Sequence, residues 1–219
     1  MGVFLMRDRQ TGTIWAHLDG KAVQGPLTGE RLRWIPVPQM TWGQWKIAHP
    51  ETLVLDPDTP FTERYSPPVR TGLAGRGESL YGDDRLPSNS LVVGVEVNGE
   101  FLGFPLDLLE AEDGVVNAEV GGEPVVVLYD AYSQTGIAYS RTWNGRTLTF
   151  VPDRRRVGPM QITDEETGTL WNIDGKAVRG PLSGAAVTFV PSLISEWYGW
   201  SGYHPSTELY SGPEQPDSS

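Results

Sequence analysis

The stretch LVVGVEVNGEFLGFPL, residues 91–106, contains two strand-like apolar runs joined around Asn98-Gly99. An Asn-Gly pair tolerates the positive φ angles that a tight hairpin turn requires, so the stretch predicts two antiparallel strands. The same design recurs twice downstream, around Gly121-Gly122 and around Asn144-Gly145. Three successive hairpins predict a mainly β, meander-like or barrel-like module with little helix.

Two segments of the chain have nearly the same sequence. QTGTIWAHLDGKAVQGPLTG, residues 10–29, matches ETGTLWNIDGKAVRGPLSG, residues 166–184. Further downstream, each of two tryptophans and a histidine matches a residue 155 positions later: Trp42 and Trp197, Trp45 and Trp200, His49 and His204. A period of this length is too long for a solenoid repeat and predicts a duplicated module.

Each copy is expected to end in a short helix with an aromatic face. Thr41 and Ser195 are the expected N-caps, because a hydroxyl can accept from the free N–H groups of a first helical turn. The His-Pro pairs at His49 and His204 then end the helices, since proline cannot continue one.

Composition shifts predict the domain boundaries. Residues 1–56 are interpreted as a partial first module and residues 90–212 as a complete second module. Residues 57–89 are rich in proline and glycine and are expected to connect the two. The tail, residues 213–219, is expected to be disordered.

Charge and residue usage narrow the classes of function. The 219 residues carry 17 basic and 28 acidic side chains, a formal charge of −11, and such a surface repels nucleic acid and anionic lipid. No apolar run is long enough to span a bilayer, so we expect no membrane insertion. The absence of cysteine removes thiolate metal sites and cysteine nucleophiles. The only basic run, Arg154–Arg156, is interpreted as a solvated turn, with a local anion contact as the alternative.

The motifs DGKAVQGPLTG, TWGQWKIAHPETLVL, VVGVEVNGEFLGFPL and VGGEPVVVLYD resemble the bacterial and archaeal family called domain of unknown function 3179. The resemblance covers about residues 7–210. It implies two related halves, each beginning with a Val-Gly-Val-Glu hairpin, and therefore a first half that lacks this hairpin here. It also implies a cysteine segment after the Gly-Gly-x-Pro-Val strand, where this chain has Tyr129, Asp130 and Tyr132 instead. Family members often carry export signals, which favours an extracytoplasmic location; the opening MGVFLM is too short to be such a signal.

Candidate sites follow from the few chemically versatile side chains. Tyr129, Asp130 and Tyr132 are candidate ligand-binding residues because of their place in the resemblance, and His204 joins them as one of only three histidines. Capping of a helix end by the imidazole is the structural alternative for His49 and His204. No spacing typical of a metal or nucleotide site occurs, so no cofactor and no metal is predicted.

Acidic and aromatic side chains carry structural interpretations. The acidic groups are interpreted as solvated turns, with calcium binding or acid/base work as alternatives: Asp56 with Asp58, Asp83-Asp84, and Asp164-Glu165-Glu166. The matched tryptophans are interpreted mostly as core residues, with ligand stacking as the alternative.

The leading hypothesis from sequence is a non-enzymatic binding or structural module. Because the first module lacks its hairpin, we expect it to expose strand edges and apolar surface unless it self-associates or a partner chain covers it. The alternative is a hydrolase or isomerase with a carboxylate and histidine site near Asp130 and His204.

Overall fold

The computed structural model describes residues 4–55, 83–153 and 159–213. Within these ranges the chain is mainly β, and three short helices are α1 (Trp42–Ala48), α2 (Leu106–Ala111) and α3 (Trp197–Tyr203). The strands, in chain order, are β1 Leu5–Arg7, β2 Ile14–Ala16, β3 Ala22–Gln24, β4 Leu91–Val97, β5 Glu100–Pro105, β6 Val115–Val120, β7 Glu123–Asp130, β8 Thr135–Ser140, β9 Thr142–Trp143, β10 Arg146–Thr147, β11 Phe150–Pro152, β12 Gln161–Asp164, β13 Leu170–Asn172, β14 Ala177–Arg179, β15 Phe189–Val190, β16 Ser192–Glu196 and β17 Glu208–Leu209.

The predicted hairpins form where the turn chemistry placed them. β4 and β5 pair antiparallel from Val97 and Glu100 outward, and the two turn residues have positive φ angles, 53° at Asn98 and 82° at Gly99. β6 with β7, and β9 with β10, turn in the same way at the two other predicted pairs. Local turn chemistry therefore suffices to set these strand pairings.

The second module is built from three layers of open sheet. A central sheet, in the order β15-β8-β7-β6, lies between the sheet β16-β4-β5-β17 and the sheet β11-β12-β13-β14. The side chains of β7 show why this sheet is covered on both faces. Val125, Val127 and Tyr129 enter one core cluster, while Val126 and Leu128 enter the other. Alternate side chains of a strand point to opposite faces, so a strand that is apolar throughout has to be covered on both. No barrel closes among the described strands, so the barrel-like part of the prediction was wrong.

The two similar sequence segments form similar small sheets. β1-β2-β3 and β12-β13-β14 are both antiparallel, and each has a register shift at its tryptophan, Trp15 or Trp171. In each, an aspartate accepts from the indole N–H, at 3.0 Å for Asp8 and 2.8 Å for Asp164. These matching contacts support an internal duplication, which stays a prediction.

Asp164 corrects one sequence-based interpretation. It is fully buried rather than solvated, and it accepts from the backbone N–H and the hydroxyl of Thr167 as well as from Trp171. The carboxylate therefore closes a tight turn from the inside, and three donors compensate its loss of water. Asp83 forms an ion pair with Arg85. Asp56, Asp58 and Arg154–Arg156 lie outside the described residues.

The helix ends agree only in part with the prediction. Thr41 is the N-cap of α1, as expected. It also forms a capping box with Gln44. The prediction of Ser195 as an N-cap was wrong. Ser195 pairs with Val92 inside β16, and the N-cap of α3 is Glu196, the last residue of that strand. His49 and His204 end their helices as C-caps, but through the backbone N–H and not through the predicted imidazole.

Candidate functional site

Three of the four predicted site residues line one shallow cleft. Tyr129, Asp130 and Tyr132 lie at the end of β7, next to Glu110 and Asp113 at the end of α2, around a volume of about 250 Å³. The Tyr129 ring is buried in the core cluster, and burial, with smaller effects of Glu110 and Asp130, raises the pKa of its hydroxyl. The Tyr132 ring is exposed.

Asp130 has hydrogen bonds that shape the chain locally. Its carboxylate accepts from the backbone N–H of Tyr132 at 3.2 Å and from the hydroxyl of Ser133 at 2.9 Å. These bonds form an Asx-type turn that joins β7 to β8. The geometry of this turn therefore explains why an aspartate is found at this position.

His204, the fourth predicted residue, does not line that cleft. Its ring is stacked on Phe101 with centroids 3.9 Å apart and is packed against Trp200 and Tyr203. Burial lowers the pKa of the His204 imidazole to about 4, so the ring is neutral near pH 7. The structure therefore places His204 in an aromatic cluster on α3 and Asp130 in a separate turn.

The aromatic face of α3 lies in a notch on the β4-β5 hairpin. Gly94 and Gly103 are directly opposite each other across the two strands. A Cβ at Gly94 would collide with the six-membered ring of Trp200, and one at Gly103 would lie 3.2 Å from Trp197. The two glycines thus provide the flat floor on which both indoles lie, and these tryptophans are 0% and 1% exposed.

The corresponding face of α1 is not covered. Trp42 is 50% and Trp45 is 38% exposed, and α1 contains no buried residue. The matched tryptophans were predicted to be mostly core residues. This prediction is confirmed for Trp15 and for the copies in the second module, and it is wrong for Trp42 and Trp45. The difference arises because no glycine-floored hairpin packs on α1 among the described residues.

The chain after α1 is also apolar and uncovered. Leu53 is 93% and Leu55 is 86% exposed, whereas Glu208, which matches Leu53 in the second copy, begins β17, which pairs with β5. Ile47, on α1, is exposed as well. Several exposed apolar side chains within one short segment are typical of an interaction surface. We call Trp42, Trp45, Ile47 and Leu53–Leu55 the α1 surface.

Although uncovered, α1 has the local geometry of α3. The indole N–H of Trp45 donates to Thr52 at 2.7 Å, as that of Trp200 donates to Thr207 at 2.8 Å. The rings of Trp45 and His49 have centroids 4.2 Å apart, against 4.4 Å for Trp200 and His204. The α1 surface is thus organised as its buried counterpart is, before anything covers it.

A polar cluster joins the first module to the second. Arg31 makes a bidentate ion pair with Glu96 of β4, at 2.7 and 2.5 Å, and contacts Asp19 at 3.3 Å. The Tyr203 hydroxyl donates to Asp19 at 2.9 Å, and burial together with this hydrogen bond raises the Tyr203 pKa. This cluster was not predicted from the sequence. The one signal for it is that the second copy has Ala186 at the place of Arg31.

Beside this cluster, a cleft of about 390 Å³ separates the first module from the second. Its walls include Leu18, Trp34, Phe189 and Ile194, and Arg33 also lines it. The Thr135 hydroxyl donates to the backbone carbonyl of Gln39, which holds the segment before α1 against the end of β8.

Within residues 4–55, 83–153 and 159–213, no metal site and no membrane-spanning helix is found. No group of three or more histidine, aspartate or glutamate side chains is arranged to hold a metal ion. No helix in these ranges has the length and apolar character needed to cross a membrane.

Comparison with known proteins gives one match. The family model described as "Protein of unknown function (DUF3179)" matches residues 2–207. No curated protein and no solved structure matches the chain.

Proposed function

The chain belongs to the DUF3179 family of proteins of unknown function, and from this premise we propose that it is a protein-binding module whose contact site is the α1 surface. The single observation that carries the proposal is the contrast between two helices that have their tryptophans at matching positions. Trp197 and Trp200 are buried, whereas Trp42 and Trp45 are half-exposed. Exposed tryptophans that already have an ordered geometry are typical of binding hot spots.

The energetics favour a covered state of this surface. Each large aromatic or aliphatic side chain that leaves water contributes about 1.5–3 kcal/mol. The α1 surface offers several such side chains side by side, and α1 is already capped by Thr41 and Gln44. A partner therefore gains the burial energy with little cost for ordering the helix.

The hydrolase or isomerase alternative would require Asp130 and His204 to act at one cleft. His204 is instead packed between Phe101 and Trp200, and Asp130 accepts the hydrogen bonds of its own turn. These contacts supply structural roles for both residues, and we propose no reaction for them.

Site-specific photo-crosslinking in the cells that produce the protein tests the proposal. A benzophenone amino acid at Ile47, which is exposed on α1, is expected to give one discrete adduct. The matched control carries it at Val178, an exposed valine on β14. The adduct should weaken when Trp42 is replaced by serine, and equal labelling at positions 47 and 178 would contradict the proposal.

A further inference from the structure

We propose that the partner of the α1 surface is a β-hairpin with a cross-strand pair of glycines, contributed by a polypeptide segment other than residues 91–105. This inference rests on the proposed function and specifies its partner. The template for it is the packing of α3 on the β4-β5 hairpin of the same chain.

The first step is the requirement for glycine. Trp42 and Trp45 have the same spacing as Trp197 and Trp200, and Trp45 has the same indole hydrogen bond as Trp200. An indole fixed as Trp45 is fits flat against a strand pair only where the facing residue lacks a Cβ, as Gly94 does, and a Cβ facing Trp42, at the place of Gly103, would require a small shift of that ring. A partner with a side chain at the first position would hold the helix away from the sheet.

The second step is the requirement for an aromatic residue. Phe101 of β5 lies two residues before Gly103 and stacks on His204. His49 is placed against Trp45 as His204 is against Trp200 and is exposed on its other side. The partner hairpin is therefore expected to carry an aromatic residue two positions before its second glycine.

The third step concerns the strand edge. β17 pairs parallel with β5, and Glu208 and Leu209 take part in this pairing. Leu53 and Val54 occupy the matching positions after α1 and are exposed. A hairpin that docks on α1 can therefore add these residues as a third strand, and backbone hydrogen bonds would then contribute to affinity.

The two helices differ at all five positions other than their tryptophans, and one of these differences lies at a position that is buried in α3. Lys46 takes the place of Ser201, which is buried and donates to the backbone of Trp197. The Lys46 ammonium lies 5.8 Å from the centroid of the Trp42 ring. The partner has to accept a cation there, so we expect an acidic side chain or open solvent next to it.

A second copy of this chain does not meet these requirements. Its own glycine pair is already covered by α3, whose tryptophans are fully buried. Replacing α3 with α1 of a neighbour would expose as much aromatic surface as it covers, so there is no net gain. The committed occupant is thus a hairpin whose glycine notch is empty.

A cyclic peptide with the sequence of residues 91–105 is the probe, and ring closure keeps its two strands paired; cross-strand contacts in its NMR spectrum are checked first. It is titrated into the full chain labelled with 5-fluorotryptophan. We expect the resonances of Trp42 and Trp45 to shift and those of Trp197 and Trp200 to stay in place. The control peptide carries Gly94→Val and Gly103→Val and is expected to bind about tenfold more weakly or worse.

Three results would overturn the inference: no shift of Trp42 and Trp45 with a paired hairpin, equal binding of the valine peptide, or movement of the Trp197 and Trp200 resonances instead. The proposed function fails separately, through photo-crosslinking that does not distinguish positions 47 and 178. A crosslinked adduct of twice the chain mass, or one that maps to a segment without a glycine-paired hairpin, leaves the binding role standing and overturns this inference.

Discussion

Single glycines decide how closely the elements of this protein approach each other. Gly94 is not in a left-handed conformation, and its value lies in the missing Cβ, because the Trp200 ring occupies that space. Gly43, in the exposed helix α1, is the opposite case: a Cβ there would lie 3.8 Å from its nearest neighbour, Thr41. The same residue type thus has a packing role at position 94 and little packing role at position 43.

Gly94→Ala is expected to lower the free energy of unfolding by about 2 kcal/mol or more, because the added methyl group overlaps a fully buried ring. Gly43→Ala is the matched control and should leave the free energy unchanged or raise it by up to about 1 kcal/mol, since alanine favours helix. Urea denaturation of both variants measures the difference. Equal behaviour of the two variants would contradict this account of the glycine notch.

The buried imidazole of His204 should make stability depend on pH. Its pKa is lowered from 6.5 to about 4 by burial, so between these values the unfolded chain binds a proton that the folded chain does not. Stability is therefore complete above about pH 6.5 and is lost as the pH falls towards 4; the difference corresponds to about 3 kcal/mol at most.

Urea denaturation between pH 7 and 4 measures this dependence, and His204→Gln is expected to flatten it. His49→Gln, which removes the matching but exposed imidazole, is the control for loss of a histidine. The charged groups near His204, Asp19, Glu96 and Arg31, are unchanged in both variants. An unchanged slope for His204→Gln would show that the ring does not stay neutral when folded.

At the level of elements, α1 and α3 have matching sequence landmarks and opposite environments. Helix caps, the indole hydrogen bonds and the aromatic pairs are local and are similar in both. Burial differs because it depends on the β4-β5 hairpin, which is far from α3 in sequence and packs on α3 but not on α1. A short helix gains most of its stability from such packing and little from its own propensity.

Removing equivalent tryptophans from the two helices should therefore have unequal effects. Trp197→Ala is expected to cost about 3–5 kcal/mol, because it leaves a cavity on the glycine floor. Trp42→Ala, at the matching exposed position, should cost less than about 1 kcal/mol. Chemical denaturation of the isolated chain compares them, and a similar loss in both would mean that α1 is covered within the monomer.

At the level of the whole molecule, the polar cluster around Arg31 fixes how the first module sits on the second. Arg31 bridges Asp19 of its own module and Glu96 of β4, while Tyr203 of α3 reaches Asp19. The pKa of the Arg31 guanidinium is raised, and the largest cause is its hydrogen bonding to Glu96. This is consistent with a well-aligned bidentate pair. These contacts hold the first module against β4 and α3.

A double-mutant cycle with Arg31→Ala and Glu96→Ala is expected to give a coupling free energy of about 1 kcal/mol, because the pair is bidentate but Arg31 is partly exposed. The coupling should fall as salt is added. Arg33→Ala with Glu96→Ala is the control cycle and should show little coupling. A coupling near zero for Arg31 would mean that other contacts hold the modules together.

Much of the fold could be predicted because its causes are local. The Asn98-Gly99 turn and the Thr41 N-cap depend on residues within a few positions, and both were confirmed. Asp164 was misread as a solvated residue although its pattern, shared with Asp8, lies within eight residues of its tryptophan. The cluster of Arg31 and Glu96 could not be predicted, because its members are 65 residues apart and their charges alone do not select a partner.

The sequence by itself determined the hairpins, the Thr41 cap and the matching turns of the two copies, since backbone φ preferences and short-range hydrogen bonds act within a few residues. Only the tertiary structure decided which tryptophans are buried, where His204 lies, and that α1 keeps its apolar face uncovered. Burial is a property of surfaces that meet across the whole chain, and two helices with the same landmarks differ when only one of them has a sheet to pack against.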